Sequence, residues 1–464
     1  MLKNNFKEVN NLIDIALSHK QQGDFIKAKL HLKKAIKIDP TNIVALNNIG
    51  SIYSAINKTD KAKIFFLKAI SLKPDYSKAI FNLALVNEET GNKKQAISLY
   101  KKAIKYEATN LGFYHNLYRI NETYFDEQNI RNIEIILKKE NTTDFNKAAG
   151  FFILAYNQKK KLNFKKEFQY LYEAHKYFHL SNEKINNQIS FYWIRLIPKI
   201  IKKINIASTR EVTVKVKPIF IIGLPRSGST LIESILSSGQ KKIPIGGETG
   251  IINKTLLEEN KNFFLKKEFL DDNKKLNINL DSFRQKVLNQ YELLNLLEKE
   301  KNFVLTDKSL ENFFYIELIF KLFPEAKIIN CERNILQIIV SIYQNFLTNI
   351  KWSHSIDNIL EYIDNYLKII DIYKKKYADK IYTVKLKNFT KDPENSSKKI
   401  FEFCNLGWDS KCLEFYKRND LISKTASNQQ IRNKIFINNE KKYSSYKDFF
   451  HSYADKYKWL KEIL

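Results

Sequence analysis

A short run of glycines, hydroxyl residues and one arginine in the second half of the chain suits the binding of an anion. Residues 217–230 read KPIFIIGLPRSGST. The apolar part, residues 219–222, is bounded by Pro218 and Gly223 and is too short for a helix, which predicts a buried strand of a parallel sheet. Residues 231–236 then have helical spacing. A strand, a glycine-bounded loop and a helix N-terminus in this order form an anion site, because free backbone N–H groups converge there with the positive end of the helix dipole.

The side chains of this loop are donors suited to a phosphate or a sulfonate. Arg226 offers a planar fork for two oxygen atoms, and the hydroxyl groups of Ser227, Ser229 and Thr230 can donate from the sides. Residues 223–228 fit the first part of a P-loop, but Ser229 stands where a nucleotide triphosphatase carries its phosphate-binding lysine. An ordinary strand-turn-helix with one surface arginine is the alternative, although few structural turns contain this many small donors.

Charge and composition narrow the classes of partner. The 464 residues carry a net charge of +28, and 44% are hydrophobic and 13% aromatic, which is enough for two or more domains with sizeable cores. Only 9 of the 78 basic residues are arginines, and the lysines are spread along the chain without a basic run interleaved with aromatic residues. The charge therefore gives little support for a nucleic-acid partner, whereas the few arginines, Arg226 among them, become informative.

Cysteine usage and hydropathy predict a reduced, cytoplasmic protein. The three cysteines, Cys331, Cys404 and Cys412, are odd in number and lack the spacing of metal ligands. No apolar stretch approaches the ~20 residues of a membrane span, and residues 1–11 contain no apolar signal-peptide segment. No acidic cluster that could hold Mg²⁺ follows a predicted strand, so no metal is expected.

Two regions of regular pattern must position the loop, and the first is a repeat of period 34 in residues 9–110. Gly23, Asn57 and Gly91 mark the turn inside each of three units, and a proline ends each of the first two. This pattern resembles the tetratricopeptide repeat, a helix-turn-helix unit that stacks into a solenoid, with repeats at 9–42, 43–76 and 77–110. The matching columns are Ala28, Ala62 and Ala96; Ala35, Ala69 and Ala103; Leu32, Phe66 and Tyr100; and Ala16, Gly50 and Ala84.

From residue 111 the repeat diverges, but amphipathic helical patterns continue. Residues 145–177 are rich in tyrosine and lysine, and we interpret their aromatic side chains as interhelical core in preference to a binding surface. Residues 205–217 are polar and lose the helical period, which predicts a domain junction. We therefore expect a helical repeat domain in residues 1–205, divergent over 111–205, and a second domain in residues 206–464.

The second region alternates apolar strand-like runs with helical stretches. Such runs recur at residues 303–305, 326–329 and 381–384. Strands that alternate with helices predict a parallel sheet, and ligands bind at the carboxyl ends of its strands. Arg333 follows the second of these strands, and Ser341 lies eight residues further on in a predicted helix. The loop at residues 223–230 and Arg333 should therefore lie at the same edge of the sheet.

Several short motifs, taken in order, resemble one family. They are PRSGST in the loop, GGET around Glu248, TDKS around Lys308, LFPEAKIINCER at 322–333, YQNF at 343–346 and TASNQQIR at 425–432. Together they resemble the sulfotransferases that use 3′-phosphoadenosine 5′-phosphosulfate, and in particular the bacterial tetratricopeptide-repeat sulfotransferases, relatives of the tyrosylprotein sulfotransferases. The resemblance covers nearly the whole chain. It implies a tetratricopeptide-like α-solenoid followed by a P-loop-like α/β sulfotransferase domain with a central parallel sheet.

The resemblance also assigns the contacts to this nucleotide donor. It implies that Arg226, Ser227, Gly228, Ser229 and Thr230 hold the 5′-phosphosulfate, and that the remaining donor contacts come from Arg333, Ser341, Ser427 and Lys442. Arg333 and Ser341 would hold the 3′-phosphate. A nucleotide with phosphates at both ends of its ribose needs two separated anion sites, and two arginines that each follow a strand meet this need.

At three positions the chain departs from the family pattern. Asn334 stands where an aspartate of an Asp-Pro pair is common, and Leu386 stands where many members carry a tyrosine near the adenine. Lys434 replaces a proline after the Gln-Ile-Arg stretch. These departures leave the adenine contacts open.

The catalytic roles follow from the same resemblance. Glu248 would act as the base that takes the proton of the acceptor hydroxyl, and Lys308 would stabilise the bridging oxygen of the leaving phosphate. His354 is a second candidate for the base. A protein tyrosine, recruited by the repeats, is the first acceptor we consider, and a carbohydrate or small-molecule hydroxyl is the second. A P-loop kinase would need a loop lysine and a magnesium carboxylate; a repeat scaffold with an inactive transferase domain is a further alternative.

Overall fold

The computed structural model describes residues 2–21, 23–206, 214–297, 303–418, 420–421, 425, 427–435 and 440–464, apart from the side chains of residues 2–4 and 440–442. Within these residues the chain divides into two compact units. The first contains residues 2–181 together with 420–421, and the second contains residues 182–418 together with the described residues from 425 onward. The first unit is helical, and the second contains a parallel sheet. The predicted fold class, an α-solenoid followed by a P-loop-like α/β domain with a central parallel sheet, is confirmed. The domain border at residue 205 stays a prediction.

Consecutive helices of the first unit pack in antiparallel pairs, α1 with α2, α3 with α4, α5 with α6 and α9 with α10. Their bounds are α1 Leu2–Gln21, α2 Phe25–Ile38, α3 Ile43–Ala55, α4 Thr59–Leu72, α5 Ser77–Glu89, α6 Lys93–Tyr106, α7 Leu111–Ile120, α8 Glu127–Leu137, α9 Asp144–Lys160 and α10 Phe164–Leu180. Several begin at a side-chain cap: Asp24, Asn42 and Asn163 each accept a hydrogen bond from the backbone N–H three residues on.

The columns of the 34-residue period lie where these helices cross. The alanines at 28, 62 and 96 and those at 35, 69 and 103 are fully buried. A side chain on Gly50 would overlap the ring of Phe66, so this helix crossing needs glycine. The predicted turn residues Gly23, Asn57 and Gly91 all have positive φ, which glycine and asparagine adopt at least cost.

The divergent helices also pack as the sequence suggested. Leu162 has φ of 57° in the turn between α9 and α10 and so takes the place of the glycine or asparagine of the regular units. Phe151 stacks on Tyr177 with 5.6 Å between ring centres. Core packing therefore occupies several of the aromatic side chains in residues 145–177, although Tyr172 is exposed.

The second unit continues with helices and two sheets. Its strands are β1 Ile204–Ile206, β2 Ile219–Gly223, β3 Leu276–Ile278, β4 Thr306–Asp307, β5 Lys327–Glu332 and β6 Ile381–Lys385. Its helices are α11 Glu183–Phe191, α12 Ile197–Ile200, α13 Ser229–Leu236, α14 Ile251–Glu259, α15 Lys261–Leu265, α16 Leu280–Leu293, α17 Ile316–Leu322, α18 Ile335–Tyr343, α19 Ile356–Lys376, α20 Leu386–Lys391, α21 Pro393–Phe403 and α22 Lys458–Ile463. No described helix is both long and apolar enough to span a lipid bilayer.

The larger sheet has four parallel strands in the order β4-β2-β5-β6, and β1 pairs with β3 separately. Strand β2 lies at the centre, and Ile219 pairs with Thr306 on one side and with Lys327 on the other. One strand differs from expectation, because the apolar run 303–305 only leads into β4, which consists of two polar residues. The carbonyls of Phe303 and Leu305 still accept from the backbone N–H groups of Lys217 and Ile219, at 2.7 and 2.8 Å.

Candidate active site

The carboxyl ends of three neighbouring strands bring the predicted site residues to one edge of the sheet. Strand β2 leads into the loop before α13, β4 leads to Lys308, and β5 leads to Arg333. Because the strands are parallel, all three follow-on segments lie at the same edge. The predicted meeting of the loop and Arg333 is therefore observed.

The backbone of the loop requires its glycines. Gly223 has φ of 144°, and a Cβ atom there would lie 2.6 Å from the carbonyl oxygen of Cys331. Gly228 has φ of 100° at the start of α13. Arg226 also has a positive φ, 71°, although it is not a glycine. This left-handed conformation costs an arginine free energy and needs support from its surroundings.

The side chain of Arg226 contacts two other residues that the sequence assigns to the donor. Its Nε donates to the Ser341 hydroxyl at 3.1 Å, and its Nη1 donates to the Ser427 hydroxyl at 2.7 Å. Ser341 lies on α18, and Ser427 lies in the carboxyl-terminal segment more than 200 residues from the loop in sequence. Two N–H groups of one guanidinium therefore donate to hydroxyl groups from two different segments of the chain.

Arg333 makes hydrogen bonds that support the backbone of the loop. Its Nη1 donates to the backbone carbonyl oxygen of Arg226 at 3.1 Å, its Nε donates to Gln337 at 2.9 Å, and its Nη2 donates to the hydroxyl of Tyr443 at 3.0 Å. The guanidinium carbon also lies 5.6 Å from the centre of the Tyr443 ring. These contacts hold the Arg226 backbone in its unusual conformation, a role that the sequence did not predict.

The remaining donor residues lie around the loop. Ser229 and Thr230 begin α13 and are buried, and Thr230 lies 3.3 Å from the hydroxyl of Thr425. The buried hydroxyl of Ser227 finds no hydrogen-bond partner within the described part of the chain. An unsatisfied buried hydroxyl beside a helix N-terminus fits a loop that is built to face an anion. The side chain of Lys442 lies outside the described residues.

A cleft beside the loop contains about 640 Å³ of empty space, part of it open to solvent. Three cations, Arg226, Arg333 and Lys434, contribute to its walls, and none of the described residues that line it is acidic. Leu386, Phe415, Ile431 and Ile435 supply apolar surface. A cleft with cationic and apolar walls fits a ligand that combines phosphate groups with an aromatic base.

The three departures from the family pattern have local consequences. Leu386 packs over the loop, since a Cβ atom on Gly228 would lie 2.8 Å from its Cδ1. Asn334 caps α18, and its side chain accepts from the backbone N–H of Gln337 at 3.1 Å. Lys434 is exposed and adds a positive charge to the cleft.

Glu248 and Lys308, the predicted catalytic pair, are in direct contact. The Lys308 Nζ donates to Glu248 Oε1 at 2.7 Å; the lysine side chain is 1% exposed and the glutamate side chain 45%. Burial alone would lower the pKa of Lys308, but the carboxylates of Glu248 and Glu233 outweigh burial and raise it. The pair thus combines a buried ammonium, which stays charged, with a carboxylate that solvent or an acceptor can reach.

Backbone contacts fix the loop that carries Glu248. The backbone N–H of Gly246 donates to the hydroxyl of Thr306 at 3.1 Å, and the backbone N–H of Lys308 donates to the Gly247 carbonyl at 2.9 Å. A side chain on Gly246 would overlap the carbonyl oxygen of Thr306, so only glycine allows this approach. The loop is therefore held along β4, directly beside Lys308.

Three acidic residues that the sequence analysis missed lie around the pair. Asp307 is fully buried and accepts from the hydroxyl of Tyr291 at 2.8 Å and from the backbone N–H of Ser309 at 2.9 Å. Glu233 is buried on α13. Burial, with the charges of Glu248 and Asp307, raises the pKa of Glu311 to about 7. One signal was available for Glu233, because a charged residue interrupts the apolar helix LIESIL.

His354, the alternative base, is buried, and its Nε2 is 3.2 Å from the carbonyl oxygen of Leu347. The described residues that line the cleft include neither His354 nor the Glu248–Lys308 pair. No group of three or more His, Cys, Asp or Glu side chains within the described ranges forms a candidate metal site.

Both parts of the chain match known protein families. Residues 218–410 match the sulfotransferase family, and residues 10–42, 43–76 and 77–110 each match the tetratricopeptide repeat. These matched ranges differ from the predicted repeat bounds by at most one residue. The chain carries tetratricopeptide repeats followed by a sulfotransferase domain.

Three individual proteins are similar over larger stretches. An uncharacterized protein of Aquifex aeolicus (strain VF5) is 28% identical over 344 residues, which cover 70% of this chain but only 43% of that relative. A sulfotransferase domain from the Synechococcus PCC 7002 olefin synthase covers 53% of this chain and 98% of its own, with 18% identity and a TM-score of 0.33. A sulfotransferase domain from the curacin biosynthetic pathway covers 50% and 90%, with 16% identity and a TM-score of 0.32.

Proposed function

We propose that this chain, which joins tetratricopeptide repeats to a sulfotransferase domain, transfers a sulfuryl group from 3′-phosphoadenosine 5′-phosphosulfate to an acceptor hydroxyl. The observation that carries the proposal is the pair of features at one sheet edge. One is the cleft in which the Arg226 fork meets Ser341 and Ser427, and the other is the Glu248–Lys308 ion pair. The first suits an anionic nucleotide, and the second supplies an acid-base pair.

In this proposal, binding of the donor changes the hydrogen-bond partners of Arg226. Oxygen atoms of the donor replace the hydroxyl groups of Ser341 and Ser427 as acceptors of the Arg226 N–H groups. Those hydroxyls can then donate to oxygen atoms of the nucleotide. Residues 226–230 hold the 5′-phosphosulfate, Arg333 and Ser341 act at the 3′-phosphate, and Ser427 and Lys442 supply further contacts to the donor. Arg333 adds support to the loop through the Arg226 carbonyl.

In the transfer step, Glu248 acts on the acceptor side of the sulfuryl group and Lys308 acts on the leaving-group side. The acceptor oxygen attacks the sulfur and gives its proton to Glu248, while the bond from sulfur to the bridging phosphate oxygen breaks. Lys308 stabilises the negative charge that develops on that oxygen. Its burial suits this role, because electrostatic interactions are stronger where water is excluded.

For the acceptor we propose the hydroxyl of a protein tyrosine, with the repeats as the recruiting surface. Tetratricopeptide repeats stack into an extended surface, and the catalytic carboxylate of the second unit is accessible. A carbohydrate or small-molecule hydroxyl is the alternative outcome of the test below.

Ligand-dependent thermal unfolding tests the donor. We expect 3′-phosphoadenosine 5′-phosphate to raise the midpoint of unfolding and ATP with Mg²⁺ to leave it unchanged. Stabilisation by ATP with Mg²⁺ alone would favour a P-loop kinase or triphosphatase, and stabilisation by neither would favour a non-catalytic scaffold. Mass spectrometry of a host extract incubated with labelled donor then identifies the acceptor, and label in a carbohydrate or small molecule would rule out tyrosine.

A further inference from the structure

One buried carboxylate contacts both segments that carry the proposed catalytic residues. Glu233 lies on α13, one turn beyond the anion loop, and is 4% exposed. We propose that Glu233 is a positioning residue that ties the donor loop to the Glu248–Lys308 pair and remains the counter-charge of Lys308 when Glu248 takes up a proton. This inference rests on the proposed function.

The contacts of Glu233 converge on a single oxygen atom. Its Oε1 accepts from the backbone N–H of Gly247 at 2.9 Å and from the hydroxyl of Thr306, also at 2.9 Å. Gly247 directly precedes Glu248, and Thr306 lies two residues before Lys308. One carboxylate oxygen therefore sets the positions of both segments, and a charged acceptor makes each of these hydrogen bonds stronger than a neutral one would be.

The helix connects this carboxylate to the donor loop. Ser229 begins α13 directly after the loop, and Glu233 follows four residues later, about 6 Å along the axis of a rigid helix. A movement of the loop when the donor binds must then displace or tighten the contacts of Glu233. Donor binding and the position of Glu248 are in this way mechanically connected.

The charge of Glu233 has a second role. The carboxylates of Glu248 and Glu233 both raise the pKa of Lys308. Burial raises the pKa of Glu233 itself, and the positive charge of Lys308 opposes this change. When Glu248 accepts a proton from the acceptor it becomes neutral, and Lys308 would lose its only direct carboxylate partner among the described residues. Glu233 then remains, together with Glu311, as a nearby negative charge that keeps the ammonium protonated.

Two substitutions separate charge from geometry. Glu233→Gln keeps an oxygen that can accept both hydrogen bonds but removes the charge, whereas Glu233→Ala removes both. With a tyrosine peptide as acceptor, we expect Glu233→Gln to lower kcat by about tenfold and Glu233→Ala by about 10²-fold, as for a misplaced catalytic group. Affinity for 3′-phosphoadenosine 5′-phosphate should stay within about twofold in the Gln variant. Glu292→Gln, an exposed position on α16, is the matched charge control.

The pH profile gives a readout that a purely structural role would not change. Loss of the Glu233 charge lowers the pKa of Lys308, so the alkaline fall in kcat should move to lower pH in Glu233→Gln and stay in place in Glu292→Gln. A Gln variant with the parental kcat and the parental alkaline limb would overturn the counter-charge role.

Hydrogen exchange at the amide of Gly247 tests the link without any transfer activity. We expect this amide to exchange faster in Glu233→Ala than in the parent and near the parental rate in Glu233→Gln. Addition of 3′-phosphoadenosine 5′-phosphate should slow exchange in the parent and in Glu233→Gln but not in Glu233→Ala. Equal exchange in the parent and Glu233→Ala would overturn the proposal, whereas a parent that transfers nothing but shows this pattern would contradict only the proposed function.

Discussion

The fork of Arg226 defines the chemistry of the cleft at the level of single side chains. Two N–H groups of one planar guanidinium meet two hydroxyl groups, and a lysine cannot reproduce this geometry. We expect Arg226→Ala to abolish measurable binding of 3′-phosphoadenosine 5′-phosphate in calorimetry, and Arg226→Lys to restore only part of it. Arg131→Ala, exposed on α8, is the matched control. Full affinity in the Lys variant would show that charge alone is sufficient.

The division of labour between Glu248 and Lys308 can be tested with acceptors of different acidity. We expect Glu248→Gln to keep donor affinity and to lower kcat by roughly 10² to 10⁴, the contribution of a general base. This loss should shrink for phenols with electron-withdrawing substituents, because a more acidic phenol needs the base less. Lys308→Ala should slow all acceptors about equally, since the leaving group is always the same.

A Glu248→Gln defect that is constant across the phenol series would indicate that Glu248 positions the acceptor or the loop. The base would then have to be sought elsewhere. His354 would be a poor replacement, because its side chain is buried and its Nε2 lies 3.2 Å from the Leu347 carbonyl oxygen.

Glu311 makes stability depend on pH near neutrality. Its folded-state pKa is raised to about 7 from an ordinary 4.5, mainly by burial. Between these values the unfolded chain has already released the proton that the folded chain keeps, so stability falls as the pH rises through about 7. We expect urea unfolding at pH 5 and pH 8 to show a loss of roughly 3 kcal/mol that is absent in Glu311→Gln.

The charged and titratable groups that interact with Glu311 are Glu248, Lys254, Asp307, Lys308, Tyr192, Tyr315 and Tyr362. Because the tyrosine pKa values are raised by burial and lie above 10, the tyrosines stay neutral in this window. An equal pH dependence in the parent and Glu311→Gln would assign the effect to another group.

At the scale of secondary-structure elements, Arg333 joins the loop, α18 and the carboxyl-terminal segment. We expect Arg333→Ala to weaken 3′-phosphoadenosine 5′-phosphate and adenosine 5′-phosphosulfate alike through the loop, with a further loss only for the former, which carries a 3′-phosphate. Tyr443→Phe keeps the ring but removes the hydroxyl, and should weaken both ligands by about tenfold, as for a hydrogen bond to a charged group. Tyr172→Phe, exposed on α10, is the control.

Binding constants for both ligands provide the measurement. Equal losses for the two ligands in Arg333→Ala would restrict Arg333 to the support of the loop. Unchanged constants in Tyr443→Phe would show that the hydroxyl of Tyr443 is dispensable.

The elements that repeat a pattern were the ones that the sequence could predict. The alanine columns of the repeats require close helix crossings, and the run at residues 219–222 can be stable only as a buried strand. The meeting of the loop with Arg333 also followed in outline, because β2 and β5 end at one edge of the sheet. These inferences depend on local periodicity and on the topology of parallel strands.

The contacts that the sequence did not predict join residues that lie far apart along the chain. Tyr443 lies 110 positions from Arg333, and Glu233 lies 73 from Thr306, so no local pattern connects them. The position of β4 was missed for a related reason. Asp307 is polar but buried, and it can be buried because Tyr291, Ser309 and other groups donate to it, which hydropathy does not reveal.

At the scale of the whole molecule, we propose that the first compact unit recruits the acceptor and the second carries out the transfer. A fragment of residues 182–464 should bind 3′-phosphoadenosine 5′-phosphate with the affinity of the full chain and transfer to a simple phenol at a similar rate. Transfer to the native protein acceptor should fall severalfold or more, because the repeats supply the extended surface. Cooperative thermal unfolding of the fragment is the control for its integrity. A full rate with the native acceptor would remove the recruiting role.

The burial of all three cysteines makes the protein convenient for site-specific labelling. Burial raises the pKa values of Cys331 and Cys404 to about 12 and that of Cys412 to about 11. The thiolate is the form that adds to a maleimide, so at neutral pH the native thiols should remain unmodified. A cysteine introduced at an exposed repeat position, as in Leu30→Cys, would then be the only residue to carry a fluorophore or spin label, and no native cysteine would have to be replaced.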